Sequence, residues 1–125
     1  MILIKGVIRN RKPIVSVTID QQGNLNFSSA GEYRFVVDTG FTGYIVVPYA
    51  LLPKLNLKFL NFTHFTLATH RNIQLPVFKG WVKVRTKRVK VEIVPGDELI
   101  GMKFLERVGS KLIVDFTKAE VKLLG

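Results

Sequence analysis

Cysteine is absent, which removes a disulfide scaffold, a thiol nucleophile, a zinc ribbon and an iron–sulfur cluster together. Histidine is scarce. His64 and His70 stand apart, with neither cysteine nor a close acidic cluster beside them, so no metal and no other cofactor is expected. Acidic residues are few as well, 9 Asp and Glu against 19 Lys and Arg, giving a formal net charge of +10. That balance favours acidic partners and leaves the fold open. Long apolar runs are missing too. The longest uncharged stretch, Thr39 to Pro53, is interrupted by two glycines and two prolines and falls short of the ~20 apolar residues that span a bilayer, so no membrane partner is expected. The opening Met1-Ile2-Leu3-Ile4 meets Lys5 before a signal-peptide core of the usual ~7 to 15 residues can form. On that reading the chain is cytoplasmic.

What is present suits one domain over residues 1–125, since 47% of the chain is hydrophobic and no repeat, linker or low-complexity segment divides it. Runs rich in Val, Ile and Phe recur at short spacing between turn residues, the pattern of an all-β sandwich or barrel. Ile2–Ile8 and Ile14–Ile19 flank a charged turn from Arg9 to Pro13. Further turns are expected at Asp20–Asn24 and Ser28–Gly31, ahead of a strand from Tyr33 to Val37. Tyr44–Val47 reads as another strand, and Tyr49–Leu55 as a turn or two of helix around Pro53. Lys58 to Glu92 reads as three strands, broken at Thr69–Asn72 and Thr86–Arg88. Leu99–Val108 is the main helix candidate, with Met102, Leu105 and Val108 on one face. Lys111–Phe116 and Glu120–Leu124 form a closing hairpin that pairs into the sheet.

One feature carries chemistry. Phe35-Val36-Val37 runs straight into Asp38-Thr39-Gly40, and a carboxylate at the end of an apolar strand is costly to desolvate unless it is hydrogen-bonded, paired or poised to exchange a proton. The plain alternative is a turn aspartate bonded to its own loop, because Asp and Gly both favour turns.

The longer segment Phe35-Val36-Val37-Asp38-Thr39-Gly40-Phe41-Thr42-Gly43-Tyr44-Ile45-Val46-Val47-Pro48 resembles the retropepsin-like aspartic proteases, particularly their small single-domain bacterial and archaeal members. Glu98-Leu99-Ile100-Gly101-Met102-Lys103-Phe104-Leu105 resembles that family's hydrophobic-hydrophobic-glycine segment and the short helix after it. The final strands are similar in pattern. The resemblance implies a mainly β domain, a closed or partly open antiparallel barrel with one short helix, and an active site at a homodimer interface. It implies aspartic endopeptidase chemistry, in which two carboxylates share one proton, one acting as base on a water and the other donating to the scissile carbonyl of a peptide or protein substrate. Asp20, Asp97 and Asp115 lack a following Thr-Gly, so Asp38 of a second copy must complete the pair.

By the same resemblance Asp38 is catalytic, Thr39 locks the two active-site loops across the axis, and Gly40 lets the backbone approach the shared water. Leu99, Ile100 and Gly101 support the site from beneath. Ala68, Thr69, His70 and Arg71 align with the substrate-covering flap and stand in contact with substrate. Two positions depart from the pattern. Thr69-His70-Arg71-Asn72 replaces the small residue and glycine common at the flap, and Met102 stands where retroviral enzymes place an arginine.

Two other readings stay open. One is a protease-like dimer that serves as a binding module, with Asp38 only holding its loop together. The other is a basic β-barrel that binds single-stranded nucleic acid through Lys79, Lys83, Arg85, Lys87, Arg88 and Lys90, with Phe78 and Trp81 interleaved. Val82, Val84, Val89 and Val91 alternate with most of those charges, as in any hairpin with one solvated face, which makes nucleic acid the lesser partner.

Overall fold

Residues 1–20, 31–55 and 57–125 are described in a computed structural model of the chain. Strands β1 (Ile2–Arg9) and β2 (Lys12–Asp20) are joined by Asn10 and Arg11, both at positive φ (52° and 63°), the tight hairpin geometry whose twist matches its strands. The turn is therefore shorter than the expected Arg9–Pro13, since Lys12 and Pro13 already pair with Arg9 and Ile8. Of the next two expected turns, residues 21–30 lie outside the described residues. The chain continues through β3 (Gly31–Val37), β4 (Ile45–Val47), a 3₁₀ turn (Tyr49–Leu51) and α1 (Leu52–Leu55). Then follow β5 (Lys58–Thr66), β6 (Asn72–Val84), β7 (Lys87–Pro95), β8 (Leu99–Ile100), α2 (Met102–Val108), β9 (Lys111–Asp115) and β10 (Glu120–Leu124).

All strands join one sheet in the order β5-β6-β7-β4-β8-β3-β2-β1-β10-β9, and a further pairing of β6 with β2 closes the middle of it into a ring of six strands. Mainly β architecture is thus as expected, and two pairings in the ring depart from the antiparallel arrangement. β3 pairs with β8, and β4 with β7, in parallel. Parallel neighbours need crossover connections, and here the β5–β6 hairpin and the β4-to-β7 chain supply them. Strands as short as β4 and β8 carry too little pattern to reveal their partners from sequence.

Alternation decides which side is core. In β2, Val15, Val17 and Ile19 are buried whereas Ser16 is exposed. Their neighbours inside are Phe35, Ile45, Val82, Val91, Ile93, Ile100 and Phe104, all with 1% of their surface or less exposed. Full burial of each such side chain stabilises the fold by roughly 1.5–3 kcal/mol. A smaller cluster of Val46, Val77 and Val94, with Phe41, Phe65 and Leu99 against it, lies across β4 from that core and under the β5–β6 hairpin.

The helix begins later than its apolar rhythm predicts. Leu99 and Ile100 are drawn into the sheet as β8, Gly101 is extended, and α2 starts at Met102. Its buried face is Phe104 and Leu105, with Val108 half-buried, whereas Met102 remains 38% exposed. Among the described residues no helix is long and apolar enough to cross a membrane.

Candidate active site

β3 buries Phe35 and Val37 and delivers Asp38, half-buried, to the start of a loop in which Thr39 and Gly40 are exposed. The loop is tight. Gly40 N–H donates to Asp38 Oδ1 at 2.9 Å, and Phe41 N–H donates to the Asp38 carbonyl at 3.1 Å. A Cβ on Gly40 would stand 3.2 Å from Asp38 Oδ1, so a side chain there would crowd the carboxylate it now orients.

The loop is fixed from beneath by β8, which inserts between β3 and β4. Ile100 faces Val37 on one side and Ile45 on the other, and Leu99 faces Val36 and Val46. Val36 N–H donates to the Glu98 carbonyl and Asp38 N–H to the Ile100 carbonyl, each at 2.9 Å. Gly101 continues the clasp by donating to the Tyr44 carbonyl at 2.9 Å. Glycine is required at this close approach, since a Cβ on Gly101 would lie 2.3 Å from the Gly43 carbonyl oxygen and 2.7 Å from that of Phe41.

Two contributors carry no sequence signal of their own. The Phe41 and Gly43 carbonyls accept the first amides of α2, from Met102 at 2.8 Å and Lys103 at 3.1 Å. These bonds satisfy helix donors that have no partner inside the helix and lock the loop to α2. Tyr44 sits above α2, with Lys103 Nζ 5.3 Å from its ring centre and Arg107 Nη1 donating to its hydroxyl at 3.4 Å.

The structure thus brings Asp38, Thr39, Gly40, Leu99, Ile100 and Gly101 into one hydrogen-bonded unit. Ala68, Thr69, His70 and Arg71 belong to a different element, the tip of the β5–β6 hairpin, and all are exposed. Leu67 N–H donates to Arg71 O at 2.8 Å, His70 N–H donates to Leu67 O at 2.9 Å, and His70 takes a φ of 64°. Between hairpin and loop lies a hollow of about 210 Å³, walled on one side by Phe41, Thr42 and Tyr44 and on the other by Thr63, Phe65 and Val77. Asp38 is not among its walls. On the opposite side of the loop, Thr39 borders a hollow of about 450 Å³ with Met102, Leu105, Leu112 and Leu123.

No protein-family model and no curated protein matches the sequence. Among solved structures, the EIAV protease complexed with the inhibitor HBY-793 matches 83% of this chain and 94% of its own, with a TM-score of 0.61 and 16% sequence identity. The likeness shows a retropepsin-like fold, that of a retroviral aspartic protease.

Proposed function

We propose that two copies of this chain form an aspartic endopeptidase, with Asp38 of each copy meeting at a two-fold axis. The carrying observation is the Asp38-Thr39-Gly40 turn clasped by β8 between β3 and β4, on a chain whose fold is that of a retroviral protease. A single aspartate cannot be base and acid in the same step, whereas two that share a proton can. In the dimer one Asp38 carboxylate takes a proton from the attacking water, and its protonated counterpart donates to the carbonyl oxygen of the peptide. Thr39 ties the two loops together across the axis, and the Ala68–Arg71 tip folds over the bound peptide.

The copies meet on the surface that includes Thr39 and the hollow beside it, where Met102, Leu105, Leu112 and Leu123 are bordered by Glu106 and Lys111. Met102, partly exposed at its rim, supports this reading because an apolar side chain suits a buried subunit contact. Incubation with a diverse peptide mixture, followed by mass spectrometry, tests the proposal. Cleavage by the native chain and none by an identically prepared Asp38→Asn protein is the expected result. Equal cleavage by both would remove Asp38 from the reaction, and no cleavage by a verified dimer would favour a binding module on the same fold.

A further inference from the structure

A third hollow lies outside β1, β2 and β3. It measures about 210 Å³, and its walls include Lys5 and Arg9 from β1, Ser16 from β2 and Arg34 from β3, with the apolar Val7 and Ile14 as its floor. No carboxylate is among those walls. Glu120 Oε1 approaches Lys5 Nζ only to 3.8 Å, while its other oxygen is 3.3 Å from Lys122. The long pair with the exposed Lys5 is weak and leaves Lys5 open to a stronger anion.

Strand register accounts for the gathering. Residues of β2 that alternate with the buried Val15 and Val17 point outward, and Ser16 lies opposite Arg34 while Arg9 lies opposite Lys12. The same outer face continues across the ring, because Thr18 faces Lys83 on β6 and Lys83 faces Arg88 on β7. Glu32, opposite Thr18, is an acidic residue along that path. Glu32 stands two residues along β3 from Arg34 on the same face, and it lines the neighbouring hollow with Arg34 but not this one. Cations drawn from three strands around one cavity repel one another unless an anion lies between them, and the chain's charge of +10 steers anions towards it.

We propose that this face binds the sugar–phosphate backbone of a nucleic-acid strand, with one phosphate seated among Lys5, Arg9 and Arg34 and accepting a hydrogen bond from the Ser16 hydroxyl. Guanidinium groups present paired donors that match phosphate oxygens, so Arg9 and Arg34 are the specific holders and Lys5 a point charge. Base reading is not part of the site. Trp81 is half-buried and carries the Arg88 guanidinium 5.2 Å from its ring centre, so it offers no open stacking platform. Binding is therefore independent of sequence and sensitive to salt. It requires neither Asp38 nor a protease reaction.

Fluorescence anisotropy of a labelled single-stranded oligonucleotide of mixed sequence, titrated with the full chain over a salt series, tests this. Each phosphate neutralised on a single strand contributes about −0.7 to the slope of log K on log salt, so losing the seated phosphate makes the slope shallower by about that much. Arg9→Gln with Arg34→Gln should weaken binding roughly tenfold or more near 0.1 M salt and flatten the slope by about 0.7. Lys54→Gln with Lys58→Gln removes the same charge from α1 and the start of β5, and Asp38→Asn alters the other site; both should bind like the native chain. Melting curves establish that each variant folds, and Arg34→Gln alone, an exposed position, serves if the double variant does not. Equal losses in the two double variants would reduce the effect to net charge and overturn the site. Absence of oligonucleotide binding at low salt would overturn it too. So would competition in which inorganic phosphate, per phosphate, displaces the oligonucleotide as well as unlabelled strand does, which would mark a site for the free anion.

Discussion

Asp38 N–H donates to the carbonyl of Ile100 at 2.9 Å, so the backbone of the candidate catalytic residue is a rung in the ladder between β3 and β8. The carboxylate itself is oriented by Gly40 N–H. Neither bond depends on the acid's negative charge for its existence as backbone geometry, since the first involves only main-chain atoms and an amide oxygen can accept the second. Asp38→Asn should therefore fold with a melting temperature close to the native one while peptide cleavage disappears. Calorimetry beside the peptide assay checks both halves, and a large fall in melting temperature would show that the charge itself holds the loop.

Gly101→Ala attacks the same clasp from below. Its new methyl would meet two backbone carbonyl oxygens, which cannot rotate away as a side chain does. The expected loss is about 3 kcal/mol, the upper range for overpacking. Urea denaturation measures it, and a native-like midpoint would mean that α2 shifts freely away from the Asp38 loop.

Phe104→Ala should cost roughly 3–5 kcal/mol, since the ring is wholly buried beneath the loop and its removal leaves a cavity in a packed core. The same denaturation experiment reads this. A loss below 1 kcal/mol, set against that roughly 3–5 kcal/mol range, would place Phe104 outside the cooperative core.

Met102→Glu puts charge beside Thr39 at a position that is already partly exposed, so the single chain should keep its stability. Sedimentation should then show that dimers present in the native protein are lost, and cleavage lost with them. A dimer that persists would move the subunit contact to another face.

Much of the fold was legible because solvated strands write their burial into alternate residues. Val15, Val17 and Ile19 mark one face of β2, and the runs on either side of Thr86–Arg88 mark β6 and β7 as a hairpin. Legibility failed where partners decide structure. Leu99 and Ile100 fit a helix by hydrophobic rhythm, yet two neighbouring strands with open hydrogen-bonding groups capture them first. Asp38, Gly40 and Gly101 stood out as residue types in an unusual order. Phe41, Gly43 and Tyr44 act on the loop through main-chain carbonyls, and a carbonyl is the one group that every residue type supplies alike.

The pairing of β1 with β10 sets Ile2 opposite Leu124. Lys5 on β1 and Glu120 on β10 flank the same seam, and the ring's β2 is hydrogen-bonded to β1 next to it. Contacts of such long span carry a high loop-closure entropy cost. A chain cut short of β10 would leave one edge of β1 bare, a row of unpaired amides and carbonyls able to recruit a strand from another molecule. The seam thus covers the free edge of β1, and the strands left outermost in the sheet are β5 and β9.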